Sequence, residues 1–193
     1  DYADALFLLA NTRVQLGAVT DAKPIYERVI KLAPNNFEAH NNLGSALQEL
    51  GASEAAIPHH QRAIVLNPKF ELAYLNLAYA LVSLERNQEA LDVYKDCLKH
   101  CSSAKLHQNF GITLQQLGRM VDAQQAYLKA IELDPAIGSV YRHLAEITKV
   151  GGKGDIDISA TVKAAFEVQG MDENSIKHLS FAWAKVNDGQ KNY

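Results

Sequence analysis

The sequence predicts an all-α protein, a solenoid of stacked antiparallel helix pairs. Three observations predict it: landmarks recur at a fixed period, two amphipathic stretches fill each period, and Gly or Pro separates the stretches. Gly17 and Gly51 are 34 residues apart, as are Pro34 and Pro68. A period of this length is typical of repeat proteins in which each unit is one helical hairpin.

The first helix of a repeat is clearest in the second period. Leu43, Leu47 and Leu50 recur at intervals of three and four residues, as apolar residues do on one face of an α-helix. Gly51 follows them, and a glycine at this place is a common helix terminator. A second apolar stretch with the same spacing runs from Ala56 to Ile64. Each period therefore contains two helices joined by a short turn.

Counting landmarks along the chain gives one array with four regular repeats. We expect these to span residues of about 3–36, 37–70, 71–103 and 104–137. The step from Leu77 to Phe110 is 33 residues, so one residue is missing. Because Ser102 keeps the 34-residue step from Pro68, the deletion is predicted in the turn at 102–104.

Two irregular repeats follow. The fifth is expected over 138–174, with about three extra residues around Gly151–Gly154. The sixth, over 175–193, has a first helix and no second, which predicts an uncapped apolar stripe. We expect the chain to be a segment of a longer protein.

Residues at set positions identify the family that the repeats resemble. One repeat carries Tyr74, Leu77, Ala78, Leu81, Ala90 and Tyr94, and another carries His107, Phe110, Gly111, Leu114, Ala123, Tyr127, Ala130 and Pro135. These patterns resemble the tetratricopeptide repeat family. The resemblance implies a right-handed superhelix whose concave groove is lined by the first helices and binds a partner.

An asparagine precedes the characteristic Leu or Phe in three consecutive repeats, at Asn42, Asn76 and Asn109. In the tetratricopeptide family this position points into the groove. An amide both donates and accepts hydrogen bonds, so a row of amides could hold a peptide by its backbone. The row resembles the asparagine ladder of the O-linked N-acetylglucosamine transferase arrays.

The same register assigns neighbouring side chains to the groove. The predicted peptide-binding set comprises Asn41, Asn42, Ser45, Asn76, Tyr79, Gln108, Asn109 and Ile112. Tyr79 stands where hairpin packing needs no aromatic residue, so we expect it to anchor a partner side chain.

Other kinds of site are disfavoured by the same register. The histidines His40, His60, His107 and His178 occupy aromatic core positions of the repeat, which favours packing over metal binding. We therefore expect no metal, no cofactor and no catalytic residue. The formal net charge of -3 argues against nucleic acid or an anionic membrane as the main partner. No transmembrane run or leader is visible, and we expect a cytoplasmic protein.

The sequence thus predicts a non-catalytic protein-interaction module that takes an extended peptide or a partner protein in its concave groove. Two alternatives stay open. The chain could be the substrate-recruiting N-terminal domain of a larger transferase, sulfotransferase-like or glycosyltransferase, because residues 171–193 resemble the last repeat of bacterial tetratricopeptide–sulfotransferase proteins. It could instead be a scaffold array that self-associates through its uncapped terminal helix.

Overall fold

The computed structural model describes residues 2–148 and 158–190. Across those two ranges the chain forms eleven α-helices and no strand, which confirms the all-α prediction. The insertion predicted around Gly151–Gly154 lies outside the described residues.

The helices fall into two compact units, and the boundary between them along the chain lies between Cys101 and Ser102. The N-terminal unit contains α1 (Tyr2–Gln15), α2 (Val19–Leu32), α3 (Phe37–Glu49), α4 (Ser53–Leu66), α5 (Glu71–Ser83) and α6 (Asn87–Cys97). The C-terminal unit contains α7 (Ala104–Gln116), α8 (Met120–Leu133), α9 (Gly138–Ile147), α10 (Ser159–Ala165) and α11 (Glu173–Gln190).

Turn chemistry explains where the first helices end. Gly17, Gly51 and Gly118 follow α1, α3 and α7 with φ of 74°, 79° and 71°, a left-handed conformation that glycine adopts without steric cost. In the turn between α5 and α6 the equivalent residue is Glu85, with φ of 60°. Side chains cap the starts of three helices: Asn36 accepts from the Ala39 N–H, Ser103 accepts from the Leu106 N–H, and Asp172 accepts from the Ser175 N–H.

The core of the N-terminal unit runs between successive helix pairs. Tyr26 on α2 packs with Leu43 and Ala46 on α3, and Ala56 on α4 joins the same cluster. Each helix pair thus buries apolar surface against the next, and this burial is the main favourable term in its folding.

The C-terminal unit closes differently from a regular repeat, because α11 packs on α9 and on the short α10. Its face formed by Leu179, Ala182 and Val186 is buried. The expectation of an uncapped apolar stripe is therefore wrong for this face. Of the larger apolar side chains on α11, Ile176 and Phe181 remain exposed, and a self-association surface on this helix would have to use them.

Candidate peptide-binding site

The candidate site of the N-terminal unit is built on its first helices, α1, α3 and α5. Asn42 on α3 donates from Nδ2 to Oδ1 of Asn11 on α1, at 3.0 Å. The Tyr26 hydroxyl donates to the same oxygen at 2.6 Å. An amide-to-amide bond therefore links two successive first helices at the predicted ladder position.

The next pair of first helices is linked in the same way. Nδ2 of Asn76 on α5 donates to Oδ1 of Asn41 and to Oγ of Ser45, both on α3 and both at 3.1 Å. The Ser45 hydroxyl donates in turn to the backbone carbonyl of Asn41, at 3.2 Å. Asn42, Ser45 and Asn76 are each partly exposed.

A polar cluster adjoins these residues, and we call it the His60 network: Asn41 and His60, which are buried, and Gln48 and Asn76, which are partly exposed. Nδ1 of His60 lies 3.1 Å from Oδ1 of Asn41, and its Nε2 lies 2.8 Å from Oε1 of Gln48. Nε2 of Gln48 donates to the backbone carbonyl of Asn76 at 3.2 Å. The cluster connects α3, α4 and α5.

Two residues of this network correct or refine the sequence predictions. Asn41 was predicted to face the groove, but its side chain is only 1% exposed because it is enclosed between His60 and Asn76. It supports the groove from below, where a peptide cannot reach it. His60 is 0% exposed, and its ring nitrogens are hydrogen-bonded as well as packed.

Burial, together with a smaller contribution from charge repulsion by the neighbouring His59, lowers the pKa of His60 to about 4. At neutral pH the ring is therefore uncharged, with one donor and one acceptor nitrogen. A neutral ring donates from one nitrogen only, so it donates either from Nδ1 to Oδ1 of Asn41 or from Nε2 to Oε1 of Gln48. Gln48 keeps its own donation to the Asn76 carbonyl.

A shallow cavity of about 280 Å³ lies beside the ladder position, between α1 and α3. Asn11, Tyr26, Asn42, Ser45 and Glu49 are among the residues that line it. The side of the cavity formed by Asn11 and Asn42 is polar. Because Asn11 lines the cavity, it belongs to the candidate site. Asn11 is absent from the set predicted from the sequence, although it shares a register position with Ser45, which is in that set.

Tyr79 lies on α5, one turn after Asn76, and is 67% exposed. A large aromatic side chain this open is available to a partner, and nothing in the hairpin requires it.

The remaining predicted residues lie on α7 in the C-terminal unit. Gln108, Asn109 and Ile112 are all partly exposed. Nε2 of Gln108 donates to Oγ of Ser139 on α9 at 2.8 Å, so this amide also links two first helices. No side-chain hydrogen bond engages Asn109 within the described parts of the chain.

Two further observations concern the described ranges, 2–148 and 158–190. No three His, Cys, Asp or Glu side chains converge there in a way that could hold a metal ion. No helix in those ranges combines the length and apolar character needed to span a bilayer. Cys97 and Cys101 are free thiols, and burial raises the pKa of Cys97.

Solved structures with the same architecture are numerous. The tetratricopeptide protein TTC0263 of Thermus thermophilus has a TM-score of 0.64 at 23% identity, over 94% of this chain and 99% of that one. MamA (41-end) of Desulfovibrio magneticus RS-1 has a TM-score of 0.69 at 17% identity, over 100% and 97%. YrrB, described as a tetratricopeptide protein with an unusual peptide-binding site, has a TM-score of 0.64 at 16% identity, over 96% and 87%.

Identities this low establish the fold alone, and the fold is that of tetratricopeptide repeat proteins. No curated protein sequence matches the chain. The predicted likenesses to the O-linked N-acetylglucosamine transferase and to sulfotransferase proteins are not confirmed. A family model described as bacterial transcriptional activator domain matches residues 12–121. The chain therefore belongs to the bacterial transcriptional activator domain (BTAD) family and has a tetratricopeptide repeat fold.

Proposed function

We propose that this chain is a non-catalytic interaction module that binds an extended peptide, or an extended segment of a partner protein, along its first helices. The observation that carries the proposal is the pair of amide links across α1, α3 and α5, Asn42 to Asn11 and Asn76 to Asn41. Such links align polar groups along one face and leave part of their hydrogen-bonding capacity for a ligand.

An extended peptide suits this surface because its backbone offers N–H and C=O groups at regular spacing. The proposed contact residues are Asn42, Ser45, Asn76 and Tyr79 in the N-terminal unit and, taken separately, Gln108, Asn109 and Ile112 in the C-terminal unit. Amide groups would hold the backbone, whereas Tyr79 would pack against one partner side chain. YrrB, with the same fold, is described as having a peptide-binding site, which supports this use of the architecture.

The family description suggests the cellular process in which such a module takes part. A module of the bacterial transcriptional activator domain family would serve a regulatory protein of transcription. With a formal net charge of -3, this chain is better suited to a protein partner than to DNA. We accordingly propose a cytoplasmic protein partner.

Tyr79→Ala gives the cleanest test because Tyr79 is exposed and has no packing role. We would select 12-residue peptides from a phage-displayed library on the wild-type chain and measure their affinity by fluorescence polarisation. Loss of an aromatic anchor is expected to weaken binding about tenfold or more. The matched control is Tyr2→Ala, since Tyr2 on α1 is 65% exposed and lies outside the proposed set.

Asn42→Ala, Asn76→Ala and Asn109→Ala test the ladder itself. Each is expected to weaken peptide binding, and Asn35→Ala, an exposed asparagine outside the first helices, should leave it unchanged. Far-UV circular dichroism would check that the variants stay folded. Selection of no peptide, or unchanged affinity in folded Tyr79 and asparagine variants, would overturn the proposal.

A further inference from the structure

We infer that the asparagines of the N-terminal unit are chemically distinct contacts, with Asn76 presenting only a hydrogen-bond acceptor and Asn11 presenting only a donor. The groove would then require a backbone N–H opposite Asn76 and a carbonyl opposite Asn11. This inference rests on the proposed peptide-binding function and specifies which groups of the peptide are read.

Both amide hydrogens of Asn76 are engaged within the protein. An amide NH₂ group has two hydrogens, and both are taken, by Oδ1 of Asn41 and by Oγ of Ser45, each at 3.1 Å. Ser45 can only accept here, because its own hydroxyl hydrogen goes to the backbone carbonyl of Asn41.

The opposite orientation of the Asn76 amide is unfavourable. It would place Oδ1 of Asn76 against Oδ1 of Asn41, two acceptors at hydrogen-bond distance with no proton between them. No described residue donates to Oδ1 of Asn76. The carbonyl oxygen is therefore the group that Asn76 can offer to a ligand.

Asn11 shows the reverse arrangement. Its Oδ1 accepts from the Tyr26 hydroxyl at 2.6 Å and from Nδ2 of Asn42 at 3.0 Å, which occupies both lone pairs. Its NH₂ group has no partner among the described residues. Asn11 can therefore donate to a ligand carbonyl.

Asn42 lies between these two extremes. One of its amide hydrogens goes to Asn11, and its Oδ1 receives only a long contact of 3.4 Å from Nδ2 of Asn41. The Tyr26 hydroxyl is a further hydrogen-bond partner of the Asn42 side chain, so Asn42 keeps part of its accepting capacity. The free group thus changes from a donor at Asn11 to an acceptor at Asn76.

This order has a consequence for the ligand. The groups that remain free to bind a ligand differ along the unit. Shifting the peptide along the groove would therefore place one of its backbone carbonyls opposite Oδ1 of Asn76. Leaving a polar group unpaired, or placing it against a second acceptor, costs more free energy than one hydrogen bond gains. Binding of the shifted peptide is therefore disfavoured. A proline or N-methylated residue opposite Asn76 is excluded for the same reason.

The orientation of the amides can be tested without a peptide. In an NMR experiment on ¹⁵N-labelled protein, we expect the side-chain NH₂ protons of Asn76 to exchange with water at least tenfold more slowly than those of exposed Asn35. Ser45→Ala should accelerate exchange of one Asn76 proton and leave Asn35 unchanged. Equal exchange rates for Asn76 and Asn35 would overturn the assignment.

The ligand requirement needs a peptide probe, for which we would use a 12-residue phage-selected peptide and its backbone amide-to-ester analogues. Each ester removes one N–H donor while keeping the carbonyl. We expect one ester to weaken wild-type binding about fivefold and to have no effect in Asn76→Ala. In the control variant Asn35→Ala, the same ester should still weaken peptide binding about fivefold.

The outcomes separate the two proposals. If the peptide binds the wild type but no ester position is coupled to Asn76, the inference is wrong and the proposed function stands. If no peptide is selected, the proposed function fails and the ligand requirement fails with it, while the exchange rates still decide the amide orientation.

Discussion

The imidazole of His60 lies directly over the backbone of Gly44, where a Cβ would come within 2.6 to 2.9 Å of three ring atoms. The ring is fully buried and has polar contacts at both nitrogens, so it cannot move aside without a cost in free energy. Gly44→Ala should therefore lower the free energy of unfolding by about 1–3 kcal/mol.

Urea denaturation followed by circular dichroism would measure this loss. Glu49→Ala, an exposed change near the end of the same helix, is the control and should shift stability by less than about 0.5 kcal/mol. A Gly44 variant as stable as wild type would show that the ring is free to move.

Acid should destabilise the N-terminal unit through His60. Because its pKa is about 4 in the folded protein and 6.5 for an unperturbed histidine, the unfolded chain binds more protons between these values. The stability contributed by the neutral ring is fully present above about pH 6.5 and is lost as the pH falls towards 4. The expected loss is about 3 kcal/mol.

His60→Tyr supplies the control for this pH dependence. In the C-terminal unit, Tyr127 lies over Gly111 and donates from its hydroxyl to Oε1 of Gln115 at 2.8 Å, at positions equivalent to His60, Gly44 and Gln48. A tyrosine at position 60 can therefore replace the contact with Gln48 without titrating. The variant should lose less stability than wild type between pH 6.5 and 4, and parallel curves would exclude His60 as the source.

Ser103 caps α7, since its hydroxyl oxygen accepts from the Leu106 N–H at 3.1 Å. Ser103→Ala removes this cap and should cost about 1 kcal/mol in the C-terminal unit. The single tryptophan, Trp183, lies in that unit and reports its unfolding by fluorescence. Ser102→Ala is the matched control because Ser102 is exposed and does not cap the helix, and equal effects of both changes would contradict the cap.

Glu85→Gly is expected to stabilise the N-terminal unit. A left-handed backbone costs a residue with a Cβ about 1–2 kcal/mol, whereas glycine loses roughly 0.5–1 kcal/mol in chain entropy. The net gain should be about 0.5–1 kcal/mol in urea denaturation. The reverse change at the equivalent turn, Gly51→Ala, should destabilise, and a loss of stability in both would rule out this explanation.

Much of the fold followed from the sequence because one period encodes it. Gly17, Gly51 and Gly118 marked the turns, since the left-handed backbone they adopt is a local requirement that one residue type reveals. The packing of α11 was missed because it depends on which helix covers Leu179 and Val186, and those partners are distant in the chain.

The candidate site was only partly predictable, for a different physical reason. The register places Asn41 next to Asn42, but burial of Asn41 depends on His60 standing where the other repeats carry tyrosine. The hydrogen-bond partners lie 19 to 35 residues away, as for His60 with Asn41 and Asn76 with Asn41. A period identifies equivalent positions, whereas hydrogen bonding depends on the residues that fill neighbouring positions.

The His60 network also bears on how the array avoids misassembly. Helix pairs built on one pattern are nearly interchangeable, so α5 could dock one turn away from its place on α3 with little loss of apolar contact. Such a shift would leave Asn41 and His60 as buried polar groups without their hydrogen-bond partners, which is costly in a low-dielectric interior. The network thus favours the correct alignment of α5 on α3 during folding, because misaligned stacking of otherwise similar repeats carries this cost in free energy.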